Sequence, residues 1–168
     1  FNSQIKIYND YFFVIDFTNT LRCFSIKNGE EIWKFQTETS LIRSQKKLSM
    51  VIVDKVIYFN NSLGDISAIN IDTGELLWQL PTQSNVIFES AFSLETSDII
   101  ADENNLFFSN NKNQFFSINI KSGSFDWVTT VNSNIRPSLI ENFLITVSKE
   151  GYLILIDKIT GNIIKVTD

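Results

Sequence analysis

Short apolar runs, rich in β-branched and aromatic residues, alternate with polar turns along the whole chain, and this pattern predicts β-strands. The clearest runs are Tyr11 to Ile15, Val56 to Phe59, Leu106 to Ser109 and Phe143 to Val147. A residue that tolerates positive φ lies near the end of the turn after each run: Asn19, Gly64, Asn113 or Gly151. Because no segment sustains an apolar period of about 3.6 residues, almost no helix is predicted.

A glycine turn followed four positions later by tryptophan recurs along the chain and divides it into repeats. The pairs are Gly29 with Trp33, Gly74 with Trp78, and Gly123 with Trp127, and a fourth turn at Gly161 is followed by Lys165 instead of tryptophan. The glycines are 74 − 29 = 45, 123 − 74 = 49 and 161 − 123 = 38 residues apart, and a period of about 40 to 50 residues is typical of propellers and arrays. This spacing predicts repeats at approximately residues 1–37, 46–82, 97–131 and 135–168.

Each repeat has room for four short strands. The first strands are predicted at Gln4 to Tyr8, Leu48 to Val53, Asp98 to Ala101 and Pro137 to Ile140. The third strands carry Cys23, Ala68, Ser117 and Leu155 six positions before the glycine, and the fourth strands begin after the glycine and end near the tryptophan. Repeated short strands with a glycine and aromatic motif predict an all-β fold, a propeller with four blades of four strands each. The same position of the tryptophan in three of the four repeats favours packing between blades over a platform for a sugar or quinone.

Length and charge narrow the function classes. A chain of 168 residues is expected to form a single, partial propeller domain. The net charge of −5 argues against a nucleic-acid partner, since phosphate contacts need clustered Lys and Arg. No stretch approaches the roughly 20 apolar residues of a membrane span. Because the chain begins at Phe1 and not at Met, we expect that residues upstream were removed or omitted.

The chain has no histidine and one cysteine, so Ser-His and Cys-His nucleophilic pairs and His-ligated metals are excluded within it. Cys23 is interpreted as a small packing residue. The acidic side chains that remain as candidates for acid-base chemistry are interpreted as turn residues: Asp54, Asp72, Asp98, Asp102, Glu103, Glu141 and Asp157. Taken by itself, Asp65 after Gly64 suggests a cation-binding loop. The equivalent turns of the other repeats lack the alternating acidic ligands that calcium needs. We therefore predict no catalytic residue, no cofactor and no metal.

The run from Val56 to Trp78, with Asp72-Thr73-Gly74 at its centre, resembles the PQQ-like propeller repeat, and all four repeats match it in part. The chain is most similar to the BamB-type lipoproteins of the outer-membrane β-barrel assembly machinery. That resemblance implies a non-enzymatic scaffold in the periplasm, held at the outer membrane by a lipid on a region absent here, which binds the machinery or its barrel clients. It also implies an eight-bladed ring, of which four repeats are half, completed by a homodimer or by the missing half.

Two other functions stay open at this stage. A fragment of a PQQ-dependent dehydrogenase has the same repeat, although resemblance to those enzymes also implies a calcium site and an adjacent pair of cysteines. An orphan PQQ-like repeat protein that binds another ligand is the third hypothesis.

The connections between repeats are the candidate partner-binding surface, because Arg and aromatic residues are favoured at interface centres. The residues singled out are Arg43, Phe88 and Arg136, each beside apolar neighbours. The alternative is that these residues simply begin the next first strand.

Overall fold

The computed structural model describes residues 3–38, 47–82 and 95–168. The chain divides into two compact units, Phe1–Ser93 and Leu94–Asp168. Each unit contains two four-stranded antiparallel sheets, here called blades 1 and 2 in the first unit and blades 3 and 4 in the second. Strands follow one another across each sheet in chain order, and none of the described residues is helical.

The first unit holds the first eight strands. Blade 1 consists of β1 (Lys6–Tyr8), β2 (Tyr11–Ile15), β3 (Thr20–Ser25) and β4 (Glu31–Gln36). Blade 2 consists of β5 (Met50–Val53), β6 (Val56–Asn60), β7 (Ile66–Asn70) and β8 (Leu76–Leu80).

The second unit repeats the arrangement. Blade 3 consists of β9 (Ile100–Ala101), β10 (Asn105–Asn110), β11 (Gln114–Asn119) and β12 (Phe125–Thr129). Blade 4 consists of β13 (Ser138–Ile140), β14 (Phe143–Val147), β15 (Leu153–Asp157) and β16 (Ile163–Thr167).

The first strands are shorter than predicted, and in blades 1 and 3 a serine side chain replaces the backbone just before the strand begins. The hydroxyl of Ser3 accepts the N–H of Ile15 at 2.8 Å, and the hydroxyl of Ser97 accepts the N–H of Ser109 at 2.9 Å. A side-chain acceptor satisfies the second strand without extending the ladder. The fourth strands of the first three blades continue two or three residues past the tryptophan, whereas the prediction ended them near it.

The predicted turn residues are confirmed by the backbone. Asn19, Gly64, Asn113 and Gly151 all have positive φ, between 57° and 98°. Gly and Asn adopt this conformation at the lowest steric cost, which is why the second and third strands connect at these residues.

In every blade the pairing of the third and fourth strands shifts by one residue just after the small position of the third strand. As a result, Trp33 lies opposite Cys23, Trp78 opposite Ala68, and Trp127 opposite Ser117. Lys165 takes the same place in blade 4, opposite Leu155. We call the sheet face that carries this position the front of a blade, and the opposite face its back.

The core of each unit lies between the front of one blade and the back of the next. In the first unit, Phe13 and Cys23 of blade 1 cluster with Ile57, Ile69 and Ile71 of blade 2, all at most 1% exposed. In the second unit the corresponding cluster joins Phe107 and Phe115 of blade 3 to Leu144, Ile154 and Ile156 of blade 4. Alternate apolar residues on paired faces are thus buried together, as packing of stacked sheets requires.

Candidate interaction surfaces

The glycine turns of all four blades share one backbone geometry. Each glycine has a φ between 67° and 73° and donates its N–H, at 2.9 Å, to the carbonyl four residues earlier. In blades 2 to 4 the side chain of that earlier residue also accepts the N–H groups two and three positions on, as Asn70 does for Asp72 and Thr73. In blades 2 to 4 the turn is therefore closed by both backbone and side-chain hydrogen bonds, and its glycine has no side chain to cover the Cα.

In the first unit this bare surface is covered by an indole. Trp33 of blade 1 donates its Nε1–H to the carbonyl oxygen of Ile71, three residues before Gly74, at 2.8 Å. A Cβ placed on Gly74 would lie only 2.7 Å from Cδ2 of Trp33, so the ring rests directly on the glycine. The ring of Phe13 lies 5.8 Å away, between centroids, on the same blade. Trp33 and the Gly74 turn thus form a joint between blades 1 and 2.

An equivalent joint connects blades 3 and 4. Trp127 donates to the carbonyl oxygen of Lys158 at 3.0 Å, and a Cβ on Gly161 would lie 2.6 Å from its Cδ2. The Lys158 ammonium lies 2.9 Å from the carboxylate of Asp102, which belongs to blade 3. Both side chains are less than a quarter exposed. This joint therefore contains an ion pair between blades, formed at the position that Ile71 holds in the first joint.

Asp102 is held in its charged form. Burial alone would raise the pKa of its carboxyl, but hydrogen bonds from Lys158 and from the N–H groups of Asn104 and Asn105 lower the pKa below its ordinary value. The sequence pattern predicts a turn at Asp102 but not this pair. The signal in the sequence that could indicate the pair is Lys158, three residues before Gly161. The other three glycines have isoleucine at that position: Ile26, Ile71 and Ile120.

The remaining motif positions are Trp78, Lys165, Gly123 and Gly29. The ring of Trp78 packs against that of Tyr58 in the same blade, with 5.7 Å between their centroids. Lys165 is exposed in the tryptophan position of blade 4. Gly123 is buried, whereas Gly29 is exposed and a Cβ there would meet no atom within 4 Å.

The acidic residues weighed as chemical candidates are spread over blades 2 to 4, and only Asp102 and Glu103 are adjacent in the chain. Asp54 and Glu141 have positive φ, Asp72 pairs with Lys55 at 2.9 Å, and Asp157 accepts N–H groups of its glycine turn. Burial raises the pKa of Asp65, which accepts a hydrogen bond from Asn61. Within residues 3–38, 47–82 and 95–168, no three Cys, Asp or Glu side chains are grouped to hold a metal.

The single cysteine is buried in the core of the first unit. Cys23 lies opposite Trp33, and burial raises the pKa of its thiol to about 11. A thiol with so high a pKa is mostly protonated near neutral pH and is a poor nucleophile.

Of the three predicted partner-binding residues, Arg136 lies in the described part of the chain, and Arg43 and Phe88 lie outside it. Arg136 is exposed, follows Ile135, which is 50% exposed, and lines an open depression of about 540 Å³ with Ile100 and Leu139. Glu95 holds the adjacent segment of the chain in place, because it accepts hydrogen bonds from Asn134 at 2.8 Å and from Lys149 at 2.7 Å. The structure therefore presents Arg136 on a firmly held connection between blades 3 and 4.

Comparison with solved structures gives matches across nearly the whole chain. BamB from Moraxella catarrhalis has a TM-score of 0.79 at 16% identity, over 98% of this chain and 50% of that one. The computationally designed Ika8 protein has a TM-score of 0.70 at 14% identity, over 97% and 48%. A europium-containing methanol dehydrogenase has a TM-score of 0.76 at 12% identity, over 98% and 41%. The chain thus spans half or less of the length of each of these structures.

These similarities confirm the predicted fold class, an all-β propeller fragment of four-stranded antiparallel sheets. Comparison with curated protein sequences found no match. No helix in the described part of the chain has the length and apolar character to cross a membrane. The profile of the family described as outer membrane protein assembly factor BamB matches residues 1–167, and the chain therefore belongs to that family of PQQ-repeat propellers.

Proposed function

We propose that this protein is a non-catalytic propeller scaffold that binds other proteins during assembly of outer-membrane β-barrels. The observation that carries the proposal is the family match, which extends over residues 1–167. On this proposal the protein acts in the periplasm, peripheral to the outer membrane through a lipid anchor outside residues 1–168. Its partners are the assembly machinery or the barrel clients.

The connection at Arg136 supports binding of a protein partner. Arg136 and Ile135 combine a guanidinium with an exposed apolar side chain, and such combinations are enriched at interface centres. Because the Glu95 hydrogen bonds already order the segment, binding there would lose little conformational entropy. The connections that carry Arg43 and Phe88 are proposed as further partner-binding segments.

The test is binding to the purified β-barrel subunit of the outer-membrane assembly machinery of the same organism, measured by biolayer interferometry. Arg136→Glu is expected to weaken binding by about tenfold or more, since removing one interface hot spot costs about 2 kcal/mol. The double substitution of Arg43 and Arg136 to Glu should weaken it further. Lys121→Glu is the matched control, because Lys121 is exposed on a glycine turn, away from the connection. Unchanged binding by the double variant would remove this surface from the proposal.

A second candidate function is suggested by the fold shared with methanol dehydrogenase. It predicts tight binding of pyrroloquinoline quinone that depends on calcium. Calorimetric titration of the protein with the quinone, with and without calcium, distinguishes the two functions. Saturable, calcium-dependent binding would favour the dehydrogenase function, and the proposed scaffold predicts no such binding.

A further inference from the structure

The glycine turn of blade 1 differs from the other three in the residue before its glycine. Asn28 precedes Gly29, whereas the glycines of blades 2 to 4 follow a hydroxyl residue: Thr73, Ser122 or Thr160. Asn28-Gly29 is the only Asn-Gly pair in the chain, and both of its residues are exposed. In such a pair the backbone nitrogen of glycine can attack the amide side chain before it, because glycine has no side chain to hinder the approach.

The turn of blade 1 is also closed by fewer hydrogen bonds than the other three. In blade 2 the side chain of Asn70 accepts the N–H groups two and three positions on, and its counterparts in blades 3 and 4 do the same. Ser25 takes that place in blade 1, and its hydroxyl accepts the N–H of Lys27 at 3.2 Å. Among the residues that the structure describes, no side chain accepts the N–H of Asn28. Opening the turn, which frees the Gly29 nitrogen from the carbonyl of Ser25, therefore breaks one hydrogen bond fewer here.

The amide of Asn28 is held at both of its ends by Glu30. The N–H of Glu30 donates to Oδ1 of Asn28 at 3.2 Å, and Nδ2 of Asn28 donates to Oε2 of Glu30 at 2.7 Å. When a nucleophile attacks the amide carbon, Oδ1 gains negative charge, and a backbone N–H stabilises charge that develops on an oxygen. Glu30 thus supplies a donor at the atom where the reaction needs one.

We infer that Asn28 is a site of spontaneous covalent modification, at which the amide becomes a carboxylate through a cyclic imide formed with Gly29. The Gly29 nitrogen loses its proton to water and bonds to Cγ of Asn28. The bond from Cγ to Nδ2 breaks, and the departing nitrogen takes up a proton and leaves as ammonia. Water then opens the imide at either carbonyl, which leaves aspartate or isoaspartate, so the net change is amide plus water to carboxylic acid plus ammonia.

The modification would alter blade 1 in two ways. The product adds one negative charge to a chain of net charge −5, and it places that charge beside the carboxylate of Glu30. Isoaspartate also adds one carbon to the backbone of a turn that the bond from Gly29 to Ser25 closes. This inference goes beyond the proposed function, because it concerns the chemistry of the turn of blade 1 and not the connection at Arg136.

The test compares the turns of blades 1 and 2 in one chain. Thr73→Asn creates a second Asn-Gly pair, in a turn that Asn70 holds and Trp33 covers. The folded variant is kept at neutral pH, and peptide mass spectrometry follows the gain of about one dalton at each site. Asn28 should be converted at least about fivefold faster than position 73, since one ordinary hydrogen bond corresponds to about that factor. Equal rates at the two sites would overturn the inference.

Two further variants separate the effect of the turn from the effect of the sequence pair. Ser25→Asn gives blade 1 the side-chain acceptor that Asn70 provides in blade 2, and it should slow conversion of Asn28 by about fivefold. Asn28→Thr is the control and should show no gain in mass in this peptide. Ser25→Asn carries the test if Thr73→Asn does not fold, which circular dichroism would show. An Asn28 that stays unmodified while a free peptide of residues 27–34 is fully converted, or a Ser25→Asn variant that reacts as fast as wild type, would also overturn the inference.

Discussion

The two tryptophan joints place the same indole on the same turn, yet their surroundings differ. Trp33 closes on the carbonyl of Ile71 in an apolar setting, whereas Trp127 closes on the carbonyl of Lys158, whose side chain pairs with Asp102. Because the indole is recognised by a backbone oxygen and a glycine, the side chain three residues before the glycine is free to vary. The second joint uses that freedom to add an ion pair.

Removing either indole is expected to have the largest effect on the free energy of unfolding. Trp33→Ala and Trp127→Ala should each lower the free energy of unfolding by about 3 kcal/mol, the lower end of the range for Trp→Ala, because both rings are partly exposed. Urea unfolding followed by circular dichroism measures the change.

The alkylation rate of the single cysteine reports whether the first joint has opened. Cys23 lies beside Trp33 and is buried, so alkylation by iodoacetamide should be slow in the folded protein. Trp33→Ala should speed alkylation strongly, and Trp127→Ala should change it much less. Equal acceleration by both substitutions would show that the two joints are not separate.

Replacing a turn glycine with alanine is expected to have an intermediate effect on stability. The added Cβ meets an indole at one turn and open space at another. Gly29→Ala should cost about 1–2 kcal/mol, the penalty for a left-handed residue with a Cβ. Gly74→Ala should cost about 1–3 kcal/mol more, since its Cβ would lie 2.7 Å from the Trp33 ring. Thermal unfolding of the two variants checks the difference, and equal losses would show that the Trp33 contact is not tight in solution.

The ion pair of the second joint is expected to have the smallest effect and the one that depends on pH. Asp102→Asn should cost about 1.5 kcal/mol at pH 7, the lower end for a hydrogen bond to a charged group, because the Asn carbonyl can still accept the N–H groups of Asn104 and Asn105. The pKa of Asp102 is lowered in the folded state, so its stabilisation is present above the ordinary Asp pKa and is lost as pH falls through the lowered value. The difference in unfolding free energy between wild type and variant, measured from unfolding midpoints across pH, should therefore vanish in acid.

Asp10→Asn is the matched control for that measurement. Asp10 pairs with Lys27 in the first unit at 3.0 Å, but both side chains are more than half exposed. Exposed ion pairs contribute little, so no resolvable change in the unfolding midpoint is expected at any pH. A change as large as that of Asp102→Asn would mean that exposure does not distinguish the two pairs.

Much of the local structure could be predicted because it depends on near neighbours in the chain. The second strands and the positive φ at Asn19 and Gly64 follow from side-chain preference and turn sterics. The starts of β1 and β9 do not follow from near neighbours, because the hydroxyls of Ser3 and Ser97 satisfy N–H groups 12 residues away. The binding role of Arg136 stays a prediction, since its exposure and its neighbours do not name a partner.

The sequence by itself determined the number of strands and blades, the place of each glycine turn and the family to which the chain belongs. These properties are encoded in short motifs whose physics is local. The tertiary structure decided which turns are occupied: Gly74 and Gly161 lie under indoles, and Gly29 lies open with an identical backbone. It also brought Lys158 to Asp102, more than fifty residues apart. A sequence motif does not identify the residues that contact it, because the contact exists only when another blade is packed against it.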